Sequence, residues 1–352
     1  MTANVSCRLL EVDYSAIEGV LVGWYLRDPV YIRLAKCGIH AAVTARKVGI
    51  DVDLGAPDAE LTKVLKQVKK QHQSAYELCK RVVHGNNYGL TPFGMVEQFP
   101  EHFPTVKIAE EVQAHYYTLA PKLPEWHQEI RQQAKKLGYL GGPTAPGAAP
   151  SKWDHPYGYR HWFWDVLSYQ PTDEFTARKW LRSEKWKHRI VYLHGRPFKV
   201  QLGGDAKRVI AFYPQSTAAG RLKEAELDLF DPESPDYIGD CYFGRTPLLG
   251  PIHDSLLLHI PARCFERVVE TVCRVMSRPT SHLPCPPEWN LGPHLAIGVA
   301  AKAGKDWASM MELDIPSTAD GVRTYATSVD DAPLLPRDAD DQESWDALRR
   351  VV

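Results

Sequence analysis

Two aspartates and one helical face carry the chemistry this chain offers. Asp13 closes the run Arg8-Leu9-Leu10-Glu11-Val12-Asp13, which reads as a short buried strand with a carboxylate at its C-terminal edge, a usual place for chemistry. An Asp there serves equally as a cap for the helical pattern that starts within Tyr14-Ser15-Ala16-Ile17-Glu18. Asp254 sits with His253 between two apolar segments of residues 246–261, a pattern that predicts a β-hairpin with the carboxylate at its tip and both arms buried. It is open to two readings, turn former or metal ligand. The third feature is Lys80-Arg81-Val82-Val83-His84-Gly85-Asn86-Asn87-Tyr88-Gly89. As helix it places Lys80, His84 and Tyr88 at i, i+4 and i+8 on one face, and Gly89 ends it where a left-handed residue is wanted. A cation, an imidazole and an aromatic ring in that order suit a phosphate at one end and a base at the other. They suit a solvated amphipathic face as well.

The elements that must position these groups follow from pattern. Helices are expected after Asp28-Pro29, from Gly38-Ile39-His40, continuously over 59–88, and over 108–137 with a break near Ala120-Pro121. Residues 141–156, rich in Pro, Gly and Ala, mark a loop or insertion boundary. Alternation near 189–200 reads as β, 205–229 as a helix crossing Pro214-Gln215-Ser216-Thr217-Ala218-Ala219, 264–276 as a helix, and 295–299 as a last strand.

Composition sets the outer bounds. The 352 residues are 44% hydrophobic and 24% charged, ordinary for a globular chain with a sizeable core. There is neither an apolar run of bilayer length nor a signal-peptide pattern. The seven scattered cysteines form no C-x-x-C pair, which fits free thiols in a reducing compartment and argues against a cysteine zinc site. A cytoplasmic, unsecreted protein is expected. Net charge is −1, but ten acidic and four basic residues lie from Glu312 onwards. The body is therefore mildly basic, compatible with a polyanionic partner. Residues 315–352 form an acidic tail expected to be disordered.

Taken in order, the pieces resemble motifs A, B and C of family A DNA polymerases, the bacterial DNA polymerase I group, with phage-like features. Asp13-Tyr14-Ser15-Ala16-Ile17-Glu18 is similar to motif A, Lys80 with Tyr88-Gly89 to motif B, and His253-Asp254 to motif C. Gln215-Ser216-Thr217-Ala218-Ala219 resembles the family's Q-G-T-A-A segment. Tyr157-Gly158-Tyr159-Arg160 resembles its F-G-R-R turn, with Gly195-Arg196-Pro197-Phe198 as a rival. The resemblance covers roughly residues 8–312 and rests on the ordered set, since each motif is short.

The resemblance implies an α+β fold, a small antiparallel palm sheet plus a helical fingers subdomain. The implied divisions are palm over 1–39, fingers over 40–140, a loop or insertion over 141–200 and palm again over 201–314. It implies template-directed transfer of a dNTP to a primer 3′-OH on primer-template DNA, in replication or repair. Two Mg²⁺ ions would be held by Asp13, Asp254 and the Tyr14 backbone carbonyl. Lys80 and His40 would meet the triphosphate, and His84 would stack on the incoming nucleotide. Tyr88 would sit by the base pair and Glu18 would exclude a ribose 2′-OH. Gln215, His253 and Arg160 would contact DNA.

Departures from the family pattern are specific. Tyr76 stands where the family has Arg one turn before the motif B Lys, with Lys69 or Lys70 as replacements. Lys207 and Ala211 stand for an Arg and an Asn, and Ser255 for a Glu. Counterparts of the family's thumb and exonuclease domains are not expected in this sequence, so either a separate partner chain supplies them or the sequence is a truncated gene product; no membrane partner is expected. Ser255 also resembles phage-type single-subunit RNA polymerases, against which Glu18 argues. An inactive DNA-binding remnant is the non-enzymatic reading, disfavoured because Asp13, Asp254, Lys80 and Tyr88 are all present.

Overall fold

The computed structural model describes residues 7–143, 151–183, 187–242 and 247–313. The chain opens on β1 (Cys7–Tyr14) and passes through a two-residue turn into α1 (Ile17–Tyr25). The Asp28 side chain accepts the Tyr31 N–H and starts α2 (Pro29–Cys37), with Pro29 at the first position, where its missing N–H costs nothing. Gly38, at φ +127°, ends α2 and begins α3 (Ile39–Val48). Next come α4 (Asp58–Gln71) and α5 (Gln73–Asn87). These were expected as one helix; His72, with ψ +46°, breaks it. No Pro or Gly marks that position, so the break reflects packing rather than local propensity.

Thr91 and Thr105 cap α6 (Pro92–Gln98) and α7 (Val106–Tyr117), and α8 (Leu123–Leu137) ends on Gly138 at φ +74°. Then follow β2 (Tyr139–Gly141), β3 (Arg160–Trp162), β4 (Leu167–Pro171), α9 (Glu174–Leu181), β5 (Ile190–Leu193), β6 (Arg196–Leu202) and α10 (Ala206–Phe230). The last elements are β7 (Leu248–Ile252), β8 (Ser255–Pro261), α11 (Phe265–Ser277), β9 (Val299–Gly304) and β10 (Met311–Leu313). The final strands correct the reading of 295–299, which is irregular until Val299. The tail from 315 onwards lies outside the described residues.

The chain divides into two compact units, one made of residues 1–17 and 218–352, the other of 18–217. In the first, an antiparallel sheet runs in the order β10-β9-β1-β8-β7. Alternation sends Leu10, Val12 and Tyr14 to one face and Glu11 and Asp13 to the other. α11 packs on β1, β8 and β9, burying Val268, Val272 and Met276. Only one arm of the hairpin is buried, contrary to expectation. β8 lies between β1 and β7 and is almost wholly inside, whereas β7 is an edge strand with a bulge and exposed Leu249 and Ile252. An edge strand has a neighbour on one side only, so its apolar residues lack the cover that β8 receives.

The second unit is mainly helical and also holds the two-stranded β2-β3 sheet and the three-stranded β4-β6-β5 sheet. Together the units make a mixed α+β protein with antiparallel sheets, as expected.

One buried cation ties the first unit together. Arg221 on α10 is 1% exposed. Its Nη2 donates to the carbonyls of Val275 (2.7 Å), Met276 (2.9 Å) and Arg278 (3.0 Å), the orphan acceptors at the end of α11. Arg278 and Arg274 in turn both reach Asp236 at 2.8 Å. Replacing Arg221 by Met keeps bulk but strands those carbonyls. We expect Arg221→Met to lower unfolding stability by about 3 kcal/mol, read by urea denaturation, and an unchanged midpoint would refute this role.

Candidate active site

The carboxylate corner belongs to the first unit. β1 pairs with β8 so that Asp13 lies opposite Ser255, and the hairpin residue before Ser255 is Asp254. The Tyr14 N–H donates to the Asp254 carbonyl at 3.3 Å, closing the corner. The antiparallel register thus brings together two aspartates 241 positions apart in the chain. They meet closely enough to share a hydrogen bond, and the Asp13 pKa is pushed up to about 7. Burial is the largest cause, the charge of Asp254 the next; Lys302, across from Glu11 on β9, pulls the other way. Glu11 lies on the same face, with the Ser255 hydroxyl 3.4 Å from its Oε1.

Tyr14 points its ring away into the core, beside the Arg221 guanidinium, and burial raises its phenol pKa. Only its backbone is available at the corner. His253, at φ +59°, holds the turn with its side chain 77% exposed and Nδ1 3.5 Å from Asp254 Oδ1.

The chemistry of this corner fits a hard divalent cation. Two half-buried carboxylates in contact repel when both ionise, and a cation relieves that repulsion. Among the described residues no set of three or more metal-ligating side chains converges. The protein therefore offers two carboxylates and nearby backbone carbonyl oxygen, a donor set suited to an ion that keeps waters and substrate oxygens as its other ligands.

The Lys80–His84–Tyr88 face belongs to the second unit. Lys80, His84 and Tyr88 do line one groove of about 460 Å³, together with Arg81 of α5 and Gln98 and Phe99 at the end of α6. Arg81 lies over the Phe99 ring at 5.2 Å. Sequence reading missed Arg81, Gln98 and Phe99: nothing in their local pattern says that α6 folds back onto α5. His40, at the start of α3, stacks obliquely on His84 with ring centroids 5.1 Å apart. Burial and the neighbouring His84, Lys80 and Lys69 push its pKa down to about 3, so it is a neutral imidazole at physiological pH. His84 is also shifted down, mainly by burial, against the pull of Glu18, whose Oε2 is 3.9 Å from Nδ1. Tyr76 receives Lys69 over its ring at 5.0 Å and meets His40 edge-on at 6.0 Å. The lysine beside this position is therefore Lys69.

The end of α5 is fixed by buried polar groups. Asn87 Oδ1 accepts from Tyr31 (3.1 Å) and from Tyr116, and its carbonyl accepts from His127 Nε2 at 3.0 Å. Gln113 donates to Asn86 Oδ1 at 2.5 Å and to the Leu90 carbonyl at 3.3 Å. These anchors set the position of Tyr88, whose hydroxyl is buried beside Glu18 and Gln215 without a hydrogen bond of full geometry to either. Burial and Glu18 raise its pKa. Gly89 follows at φ +76°, where a Cβ would stand 2.7 Å from Ile210 Cδ1 and 2.8 Å from Arg131 Nη2.

In α10, Gln215 is exposed, while its neighbours are tied down. The Ser216 and Thr217 hydroxyls lie 2.8 and 3.2 Å from His155 Nε2, and Tyr25 meets Thr217 at 2.7 Å. Arg160 is exposed on β3, its guanidinium 4.7 Å over the Tyr139 ring. Its rival Arg196 follows the β5–β6 turn, on a different sheet. The structure thus groups Asp13, Tyr14, His253 and Asp254 in one unit. In the other it groups His40, Lys80 and His84 around the α5 face, with Glu18, Tyr88 and Gln215 adjoining, and places Arg160 apart on β3.

No protein-family model matches the chain, and no curated protein does. Among solved structures, the POL domain of Pol1 from M. smegmatis, in complex with DNA primer-template and dNTP, is similar over 88% of this chain, with a TM-score of 0.52 and 17% identity. This chain spans 42% of that one. At this identity the likeness shows the fold alone, which is polymerase-like.

Two outcomes follow from the geometry. Asp13 prefers its proton in the folded state, so its contribution to stability is present below the unfolded pKa near 4 and is lost as pH rises through about 7. In EDTA at pH 8, Asp13→Asn should therefore melt several degrees above the parent, and the gain should vanish towards pH 4. A variant no more stable at pH 8 would contradict the crowding of the two carboxylates. Gly89→Ala should cost about 2–4 kcal/mol through positive φ and overlap, measured by thermal unfolding; a neutral effect would mean that the turn relaxes freely.

Proposed function

We propose that this chain is the core of a template-directed DNA polymerase, transferring a deoxynucleotide to a primer 3′-OH. The observation that carries the reading is the meeting of Asp13, on β1, with Asp254, in the turn before the neighbouring β8, in a polymerase-like fold. Asp13, Asp254 and the Tyr14 backbone carbonyl would hold two Mg²⁺ ions. Such a pair, when bound, supplies activation of the attacking oxygen and neutralisation of the leaving pyrophosphate.

The chain's own residues do the rest. Lys80 presents an ammonium to the triphosphate, with Lys69 in the place left by the family's missing Arg. His40, neutral, places a hydrogen-bonding group rather than a charge beside His84. His84, also favouring its neutral form, offers a ring face for the incoming base. Tyr88 and Glu18 stand side by side, the first against the base pair and the second against the sugar, where its bulk would reject a 2′-OH. Gln215 and His253, both exposed, contact the primer-template, and Arg160 contributes a phosphate contact.

The Glu18 placement favours deoxynucleotides over ribonucleotides and hence DNA over RNA synthesis. Primer extension by the purified chain with Mg²⁺ tests both points. We expect extension with dNTPs and not rNTPs, at least a hundredfold slower in Asp254→Asn, and ribonucleotide incorporation rising in Glu18→Ala. Extension with rNTPs alone would move the reading to an RNA polymerase. Equal rates for Asp254→Asn and parent would sink the catalytic assignment.

A further inference from the structure

Two tryptophans stand in water on a backbone that is firmly held. Trp164 is 83% exposed and Trp162 48%; their rings are parallel within 10°, with centroids 5.9 Å apart. Trp162 meets Tyr139 edge-on at 4.9 Å, and the Arg160 guanidinium covers the Tyr139 ring. The result is a ladder of Trp164, Trp162, Tyr139 and Arg160 with one open end. Core packing does not account for it, because so exposed a side chain buries little.

The backbone is nonetheless pinned. The Asp205 carboxylate accepts the N–H groups of Trp164 (3.0 Å) and Asp165 (3.1 Å), and Asp165 accepts that of Gly204 (2.7 Å). A Cβ at Gly203 would stand 2.2 Å from the Asp165 carbonyl oxygen, so a close-fitting glycine is needed there. Cations lie close by. Lys135 and Lys136 lie exposed in the last turn of α8, which abuts the ladder through the Phe163 N–H to Gly138 carbonyl bond of 2.9 Å. Lys207 and Arg208 lie exposed just after Asp205.

We propose that this ladder is a stacking platform for single-stranded nucleic acid, with Trp164 and Trp162 receiving bases and Arg160 with the nearby lysines holding phosphates. Rigid, exposed aromatic faces beside cations are what sequence-tolerant single-strand binding requires. The polymerase reading identifies the strand as unpaired template; the binding itself does not depend on that reading.

The test is fluorescence anisotropy of the full chain with a 5′-labelled oligo-dT strand and with a blunt duplex, in EDTA and without nucleotide. Trp164→Ala should weaken single-strand binding roughly tenfold and the Trp162→Ala/Trp164→Ala pair further. Trp164→Phe should retain most of the affinity, and duplex binding should stay unchanged. Melting temperatures within about a degree of the parent would show that folding is intact. Unchanged single-strand affinity, or equal weakening of strand and duplex, would overturn the proposal. So would loss of self-association in the double variant, seen by sedimentation with DNA affinity unaltered, which would make the ladder a protein interface. Tryptophan-dependent binding by a chain that extends no primer would leave this proposal standing and remove the polymerase reading.

Discussion

Two carboxyl groups held in contact are the constraint around which the first unit is arranged. Asp13 and Asp254 occupy a half-buried corner where the proton on Asp13 is retained to about pH 7. Holding them there takes a rigid frame, and the frame is the register of β1 against β8 with α11 packed on the other face. A one-residue slip in that pairing would send Asp13 to the buried side and Val12 to the open one. In β1 the buried Val12 and Tyr14 alternate with Glu11 and Asp13 and oppose such a slip, so the residues that make the core also set the distance between the carboxylates. Arg221 extends the same logic by joining α10 to the end of α11.

In the second unit the groove is formed largely by the surface of α5, and its position is set by what lies beneath. Lys80 and His84 face the groove, but the helix end that positions Tyr88 is set by Asn87, Tyr31, Tyr116 and His127, none of which faces it. Buried polar groups of this kind are costly unless fully satisfied. Here nearly all find partners, which favours one placement of the helix end over neighbouring ones. The neutral state of His40 has the same origin: burial among cations makes an added proton unfavourable. The groove therefore sets the Lys80 charge beside the His84 ring, which burial biases towards its neutral form.

The tryptophan ladder shows the opposite balance. Its side chains gain little from the fold, while the Trp164 and Asp165 N–H groups donate to Asp205 and the Gly204 N–H donates to Asp165.

Much of this architecture is legible in the amino-acid sequence. The strand ending in Asp13, the hairpin presenting Asp254, the common face of Lys80, His84 and Tyr88, and the long helix that carries Gln215 follow from periodicity and turn chemistry, which are local. The break at His72, the exposure of β7 and the true place of β9 do not, because each depends on what packs alongside. The same holds for the site. Residue types and spacing determined which groups are able to act: two carboxylates, a lysine, an imidazole and an aromatic ring. Only the tertiary structure decided that Glu11 and Lys302 flank Asp13, that Arg81 and Phe99 complete the groove, and that Lys69 stands by Tyr76. Pairing between distant strands and the return of one helix onto another are set by burial of whole faces, and that information is not written at any single position.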